Sequence, residues 1–116
     1  MQFTAHGHPN IRASHKTTFE FTKDRFLTKT GDCIVGVNAD FSLSELKKLL
    51  KNKRIKITIK VDKKIEEIIA QPNKGFDSEH EIVIRKTNFV SKRTLAINAN
   101  KAAIDFDKIR EKLKNP

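Results

Sequence analysis

The chain has 116 residues and a formal net charge of +10, from 24 Lys and Arg against 14 Asp and Glu. Hydrophobic residues make up 37% and Phe is the only aromatic type, which supports a modest core, argues against disorder and leaves only phenylalanine to stack on a base. A single cysteine excludes an internal disulfide, and no apolar run approaches the roughly 20 residues that span a bilayer. The expectation is one domain over 1–116, cytoplasmic, with no signal segment and no membrane attachment. A field this positive favours polyanions, so RNA or a phosphorylated ligand is the expected partner. The Lys-rich surface of a heat-adapted protein would give the same composition.

From Phe3 to Ala13 the odd positions are small or apolar and the even ones polar. A period of two predicts a strand with His6 and His8 on one face, beside Asn10 and Arg12. Ser14 to Lys16 marks a turn or bulge, and a second strand over 15–23 places His15 on the face of Phe19 and Phe21. Lys29-Thr30-Gly31-Asp32 reads as a turn with Gly supplying the special backbone conformation. Cys33 to Val37 is apolar on both faces and predicts a central strand. Ser42 with Glu45 three residues on is a capping box, starting a helix with Leu43, Leu46, Leu49 and Leu50 on one side.

Arg54 to Val61 alternates most strongly, and Asp62 to Lys64 is a hairpin turn. Ile65 to Ala70 fits a helical turn or a returning strand; the strand is preferred, because Gln71 to Gly75 stops it too soon for an independent helix. Strands over 81–86 and 94–98 follow, then a helical tail over 101–114 with Ala102, Phe106, Ile109 and Leu113 in one stripe. The architecture expected is α+β: a mainly antiparallel curved sheet or small β-barrel with two packed helices.

Several blocks recur in an ordered series: His6-Gly7-His8-Pro9-Asn10, the run from His15 to Asp24, Gly31 to Val37, Val83 to Lys86, Arg93 to Ile97 and Lys101-Ala102-Ala103. Together they resemble the small archaeal domain of unknown function numbered 371, over most of the chain. The resemblance implies an archaeal cytoplasmic protein and transfers no catalytic roles, since that family has no established activity. Asn100 departs from the Asp expected before Lys-Ala-Ala.

Three constellations carry chemistry. His6 and His8 offer two nitrogens to a metal, with Asp32 as third ligand and Asp40, Cys33 or His15 as alternatives, a set suited to zinc or another divalent metal. No CxxC or HExxH motif accompanies them, and a polar sheet face with hydrogen-bonded imidazoles accounts for the same spacing. Cys33 is the only candidate thiol nucleophile, but an apolar strand usually holds cysteine as a small hydrophobe. Arg85, Arg93 and Lys101 flank the last strands and supply forks and charge for phosphate. Sufficient curvature of the sheet would add His6, His8, Asn10 and Arg12 to them in one cationic pocket. The lysines between Lys47 and Lys64 form a separate basic face without interleaved aromatics.

The function expected is therefore a binding domain for RNA or a nucleotide, with no cofactor required. The alternative is a metal-assisted hydrolase or transferase on the His6/His8 face. A subunit that docks on a larger assembly is a third class, and the sequence leaves oligomeric state open.

Overall fold

A computed structural model of the chain describes residues 1–28 and 31–116, so part of the turn expected at Lys29 to Asp32 lies outside the described residues. Among the described residues six strands form: β1 (Thr18–Thr22), β2 (Ile34–Gly36), β3 (Ile55–Val61), β4 (Lys64–Pro72), β5 (Glu81–Arg85) and β6 (Thr94–Ile97). They make one sheet in the order β2-β1-β5-β6-β4-β3. One helix, α1 (Leu43–Lys47), runs into a 3-10 turn at Lys48–Lys51, and two more 3-10 turns lie at Ala103–Asp105 and Lys112–Lys114.

The sheet is mixed rather than mainly antiparallel. β1 pairs antiparallel with β5, and β4 with both β3 and β6, whereas β1–β2 and β5–β6 are parallel. It curls into a half-barrel, so that Val35 of β2 and Ile57 of β3, from opposite ends of the strand order, line the same cavity of about 570 Å³. Successive strand residues alternate between faces. Phe19, Phe21, Ile82, Ile84 and Leu95 therefore point inward, and Thr18, Glu20, Thr22, Glu81, Val83, Arg85 and Thr94 outward.

The inner face carries the core. Phe19 and Phe106 meet edge to face with centroids 4.9 Å apart, Phe3 packs on Phe21 at 5.3 Å, and Leu46 and Leu50 cover the sheet from α1 and the turn after it. Burying a large apolar side chain contributes about 1.5–3 kcal/mol, so Ile11, Phe106 and Ile109, fully buried with Phe19 and Ile68 of the sheet, bind both terminal segments to it.

Four expectations change. Phe3 to Ala13 is not a strand: it holds one antiparallel bridge, His6 to Val37, before a turn closed by Ile11 N–H donating to the His8 carbonyl at 3.0 Å. Pro9 has no N–H for a ladder, and the His8 N–H donates to the Leu113 carbonyl instead. The alternation survives as burial alone, with Ile11 and Ala13 buried and Thr4, His6 and Arg12 exposed. Cys33 to Val37 is not central. β2 ends the strand order and owes its burial to the N-terminal segment lying along it.

The capping box is not made: Ser42 Oγ pairs with Ser44 Oγ at 2.9 Å, and Glu45 takes Lys48 at 3.2 Å. Of the two packed helices only five-residue α1 forms. In the tail the stripe of Ala102, Phe106, Ile109 and Leu113 is buried as expected, but the backbone turns tightly. Arg110 Nη2 donates to the Ala103 and Ile104 carbonyls at 3.1 and 2.6 Å, which an α-helix would have offered to N–H groups four residues on. Among the described residues, left-handed backbone positions occur at Asn38, Asp62, Asn98 and Ala13, all with φ near +50°.

Ala13 at φ 49° is the costly one, since a Cβ disfavours that region by about 1–2 kcal/mol. Its carbonyl accepts from Arg110 Nε at 3.0 Å, so one guanidinium ties the N-terminal segment to the tail. Arg110→Met leaves three carbonyls without that donor and is expected to cost about 2–3 kcal/mol in urea unfolding, with Arg110→Lys restoring little. A change below about 0.5 kcal/mol would show that the tie is dispensable.

Candidate functional site

The outer face of β1, β5 and β6 holds a layer of polar side chains that is buried nearly as well as the core. Thr18, Glu20, Thr22 and Thr94 are each at most 6% exposed. The connection 86–93 joins two parallel neighbouring strands, and its side chains return over this face. Ser91 Oγ lies 3.1 Å from Thr94 Oγ1, and Arg93 reaches Glu81 at 3.2 Å and Glu20 at 3.8 Å. On the far side His15 Nδ1 accepts the N–H groups of Thr17 and Thr18, each at 3.1 Å, fixing the turn into β1.

Glu20 sits at the centre of this layer. Burial, then a side-chain hydrogen bond with Glu81 and the Glu81 charge, push its carboxyl up to about 7 from an ordinary 4.5, against the opposing pull of Arg93 and Arg85. Cys33 Sγ stands 4.0 Å from Glu20 Oε1, and burial with the charges of Glu20 and Asp32 pushes the thiol up to about 11. A thiol held protonated at neutral pH is a poor nucleophile, so Cys33 acts here as a weak donor within the layer.

Arg85 and Arg93 differ in how they are held. Arg93 is tied to Glu81 and Glu20. Arg85 donates from Nε to Thr94 Oγ1 at 3.0 Å and lies over the Phe89 ring at 4.8 Å, with no ion pair among the described residues. Burial and neighbouring Arg93 lower its pKa, yet a guanidinium stays charged throughout the physiological range. Phe89 is 61% exposed and Val90 follows it at 50%, so the cation and an open aromatic face form one surface.

The expected site residues divide into separate places. Arg85 and Arg93 share the outer face. Lys101 does not join them: its Nζ is 2.9 Å from Glu66, and Glu66 pairs across from inward-facing Ile59, so the lysine neutralises a carboxylate 3% exposed. His6 lines the inner cavity, behind the sheet from Arg85 and Arg93, and the single cationic pocket is therefore not assembled. His8 Nδ1 accepts from the Asn10 N–H at 3.0 Å, Asn10 Nδ2 donates to the Leu27 carbonyl at 2.8 Å, and Arg12 is exposed.

The Asp32 carbonyl accepts from Ser14 and His15. Among the described residues no three His, Cys, Asp or Glu side chains are grouped to hold a metal, so His6, His8 and Asp32 do not meet as ligands. Sequence reasoning missed Glu20, Glu81 and Phe89. The signal available was Thr18, Glu20 and Thr22 on one strand face, but the contact of Glu20 with Arg93 depends on the path of the 86–93 connection.

The family described as a domain of unknown function (DUF371) matches residues 3–115. The chain belongs to that family. An uncharacterised protein of Methanocaldococcus jannaschii is 45% identical over 118 residues, covering 95% of this chain and 87% of that protein. The family is thus of archaeal type, and among the described residues no helix is long and apolar enough to cross a membrane.

Glu20 also sets a pH dependence for this family member. Its raised pKa means that the folded state binds the proton more tightly than the unfolded chain. The resulting stability is complete below about 4.5 and is lost as pH rises through about 7. Melting temperatures of the native chain and Glu20→Gln should diverge across that window, with the variant the more stable at about pH 8. Parallel curves would show that Glu20 does not titrate there.

Proposed function

We propose that this chain binds a phosphate-bearing partner, RNA as polymer or a nucleotide as small ligand, on the outer face of β1, β5 and β6. The observation that carries this reading is the Arg85–Phe89 pair: a cation without a carboxylate partner among the described residues, stacked on a ring that stays 61% exposed. A guanidinium fork suits phosphate geometry, and an exposed phenylalanine offers a base its π face. Arg93 keeps the local field positive while its own donors engage Glu81, and the chain's charge of +10 draws polyanions from a distance.

The Lys47 to Lys64 surface adds backbone attraction without readout, since no aromatic lies within it. The metal-assisted hydrolase or transferase gains no third ligand for His6 and His8 among the described residues, and no observation favours it over binding.

Filter binding to a single-stranded RNA at rising salt tests the proposal. Affinity should fall steeply with salt. Arg85→Ala and Phe89→Ala should each weaken binding about 5- to 150-fold, the range that a stacking loss of about 1–3 kcal/mol implies. No retention at low salt, or full binding by both variants, would overturn the assignment.

A further inference from the structure

The concave side of the half-barrel contains a second site, independent of the outer face. Its cavity of about 570 Å³ falls within the roughly 300–1,000 Å³ of small-molecule pockets. The larger part of the wall is apolar, with Phe3, Phe21, Leu49, Ile57, Ile59 and Val61 lining it. Of these, Phe3, Leu49, Ile57, Ile59 and Val61 remain only partly buried, so core-quality surface is left wetted around an open space. Burying such surface against a ligand is favourable in proportion to its area.

The charged residues around the cavity have one sign. Arg54, Lys56, Lys60 and Lys112 contribute to it, together with His6, and no Asp or Glu does. Lys112 is paired with Asp62 at 2.9 Å and Lys56 with Glu67 at 3.2 Å. Arg54 and Lys60, both exposed, make no ion pair among the described residues. We propose that this cavity binds a small amphipathic anion, an apolar chain or ring system whose single carboxylate or phosphate head is taken by the unpaired rim cations Arg54 and Lys60.

A second copy of the chain is excluded as occupant by charge. β3 is the last strand of the sheet, and pairing it with itself would set two rows of Arg54, Lys56 and Lys60 against each other. Like charges opposed across strands destabilise the pairing, and lysines on an edge strand are a usual guard against it. An anionic head group reverses that sign and an apolar body matches the walls.

The test uses 1-anilinonaphthalene-8-sulfonate as the fluorescent probe of the intact chain, displaced by decanoate, decyl phosphate, decanol and decyltrimethylammonium. The two anions should compete at least tenfold more tightly than decanol, and the cation more weakly still. Their ratio tells a carboxylate site from a phosphate site. Arg54→Glu should abolish the preference for anions while decanol still competes, and Ile59→Phe should fill the space and lower competition by every ligand. The head-group series on the native chain decides the matter even where Ile59→Phe fails to fold. No probe binding, equal competition by decanol and the anions, or a dimer in sedimentation whose dissociation exposes the probe site would each overturn the proposal.

Discussion

β1 is buried on both of its faces, and the two halves of this molecule depend on that one constraint. Inward, Phe19 and Phe21 anchor the core and hold Phe106 and Phe3 from the two terminal segments. Outward, Glu20 is reached by Arg93 of the 86–93 connection, Thr18 is held by His15, and Thr22 Oγ1 accepts from the Asp24 N–H. A strand with apolar residues on one side and buried hydroxyls and a carboxyl on the other needs every outward polar atom satisfied, since an unpaired one costs about 1–3 kcal/mol. Among the described residues no buried side-chain nitrogen or oxygen lacks a partner, so the polar layer is built as completely as the core.

The chemistry of the outer face follows from that burial. A carboxyl taken out of water beside another carboxyl retains its proton, and Arg93 bridges the pair without fully compensating the burial. Because Arg93 is held by Glu81, the neighbouring Arg85 is left to a hydroxyl and an aromatic ring. The same layer thus holds one arginine for structure and presents the other to solvent beside Phe89. The inner cavity obeys a different rule: a sheet that curls without closing leaves β3 with apolar side chains that the core does not reach.

Much of this was legible in the sequence where a local period matched a long-range contact. The alternation of Ile55, Ile57, Ile59 and Val61 gave β3, and the early stop at Pro72 gave β4, because a hairpin is specified by neighbours in the chain. The N-terminal segment shows the opposite case. Its alternation was real, but it recorded which side chains face the core and not a hydrogen-bonded ladder, since its N–H groups go to a loop carbonyl and to the tail.

The tail likewise displays its apolar stripe, while Arg110 and Asp105 decide its backbone path through contacts that no periodicity encodes. For the candidate site, Arg85 and Arg93 were visible as cations on adjacent strands. Glu20 and Phe89 were not, because their roles arise only when β5 and β6 pair in parallel and return the connection over β1. His6 and His8 stood out for their residue type, and the curl of the sheet sends His6 to the inner side.

The central claim, that the outer face and not the lysine-rich surface is where a nucleic acid is read, is tested most directly by backbone amide NMR during titration with a short single-stranded RNA. The account requires the largest shifts at residues 85–94, spreading to Thr18 and Glu20, and only small uniform changes over 47–64. Shifts concentrated on 47–64, with 85–94 unmoved, would contradict it.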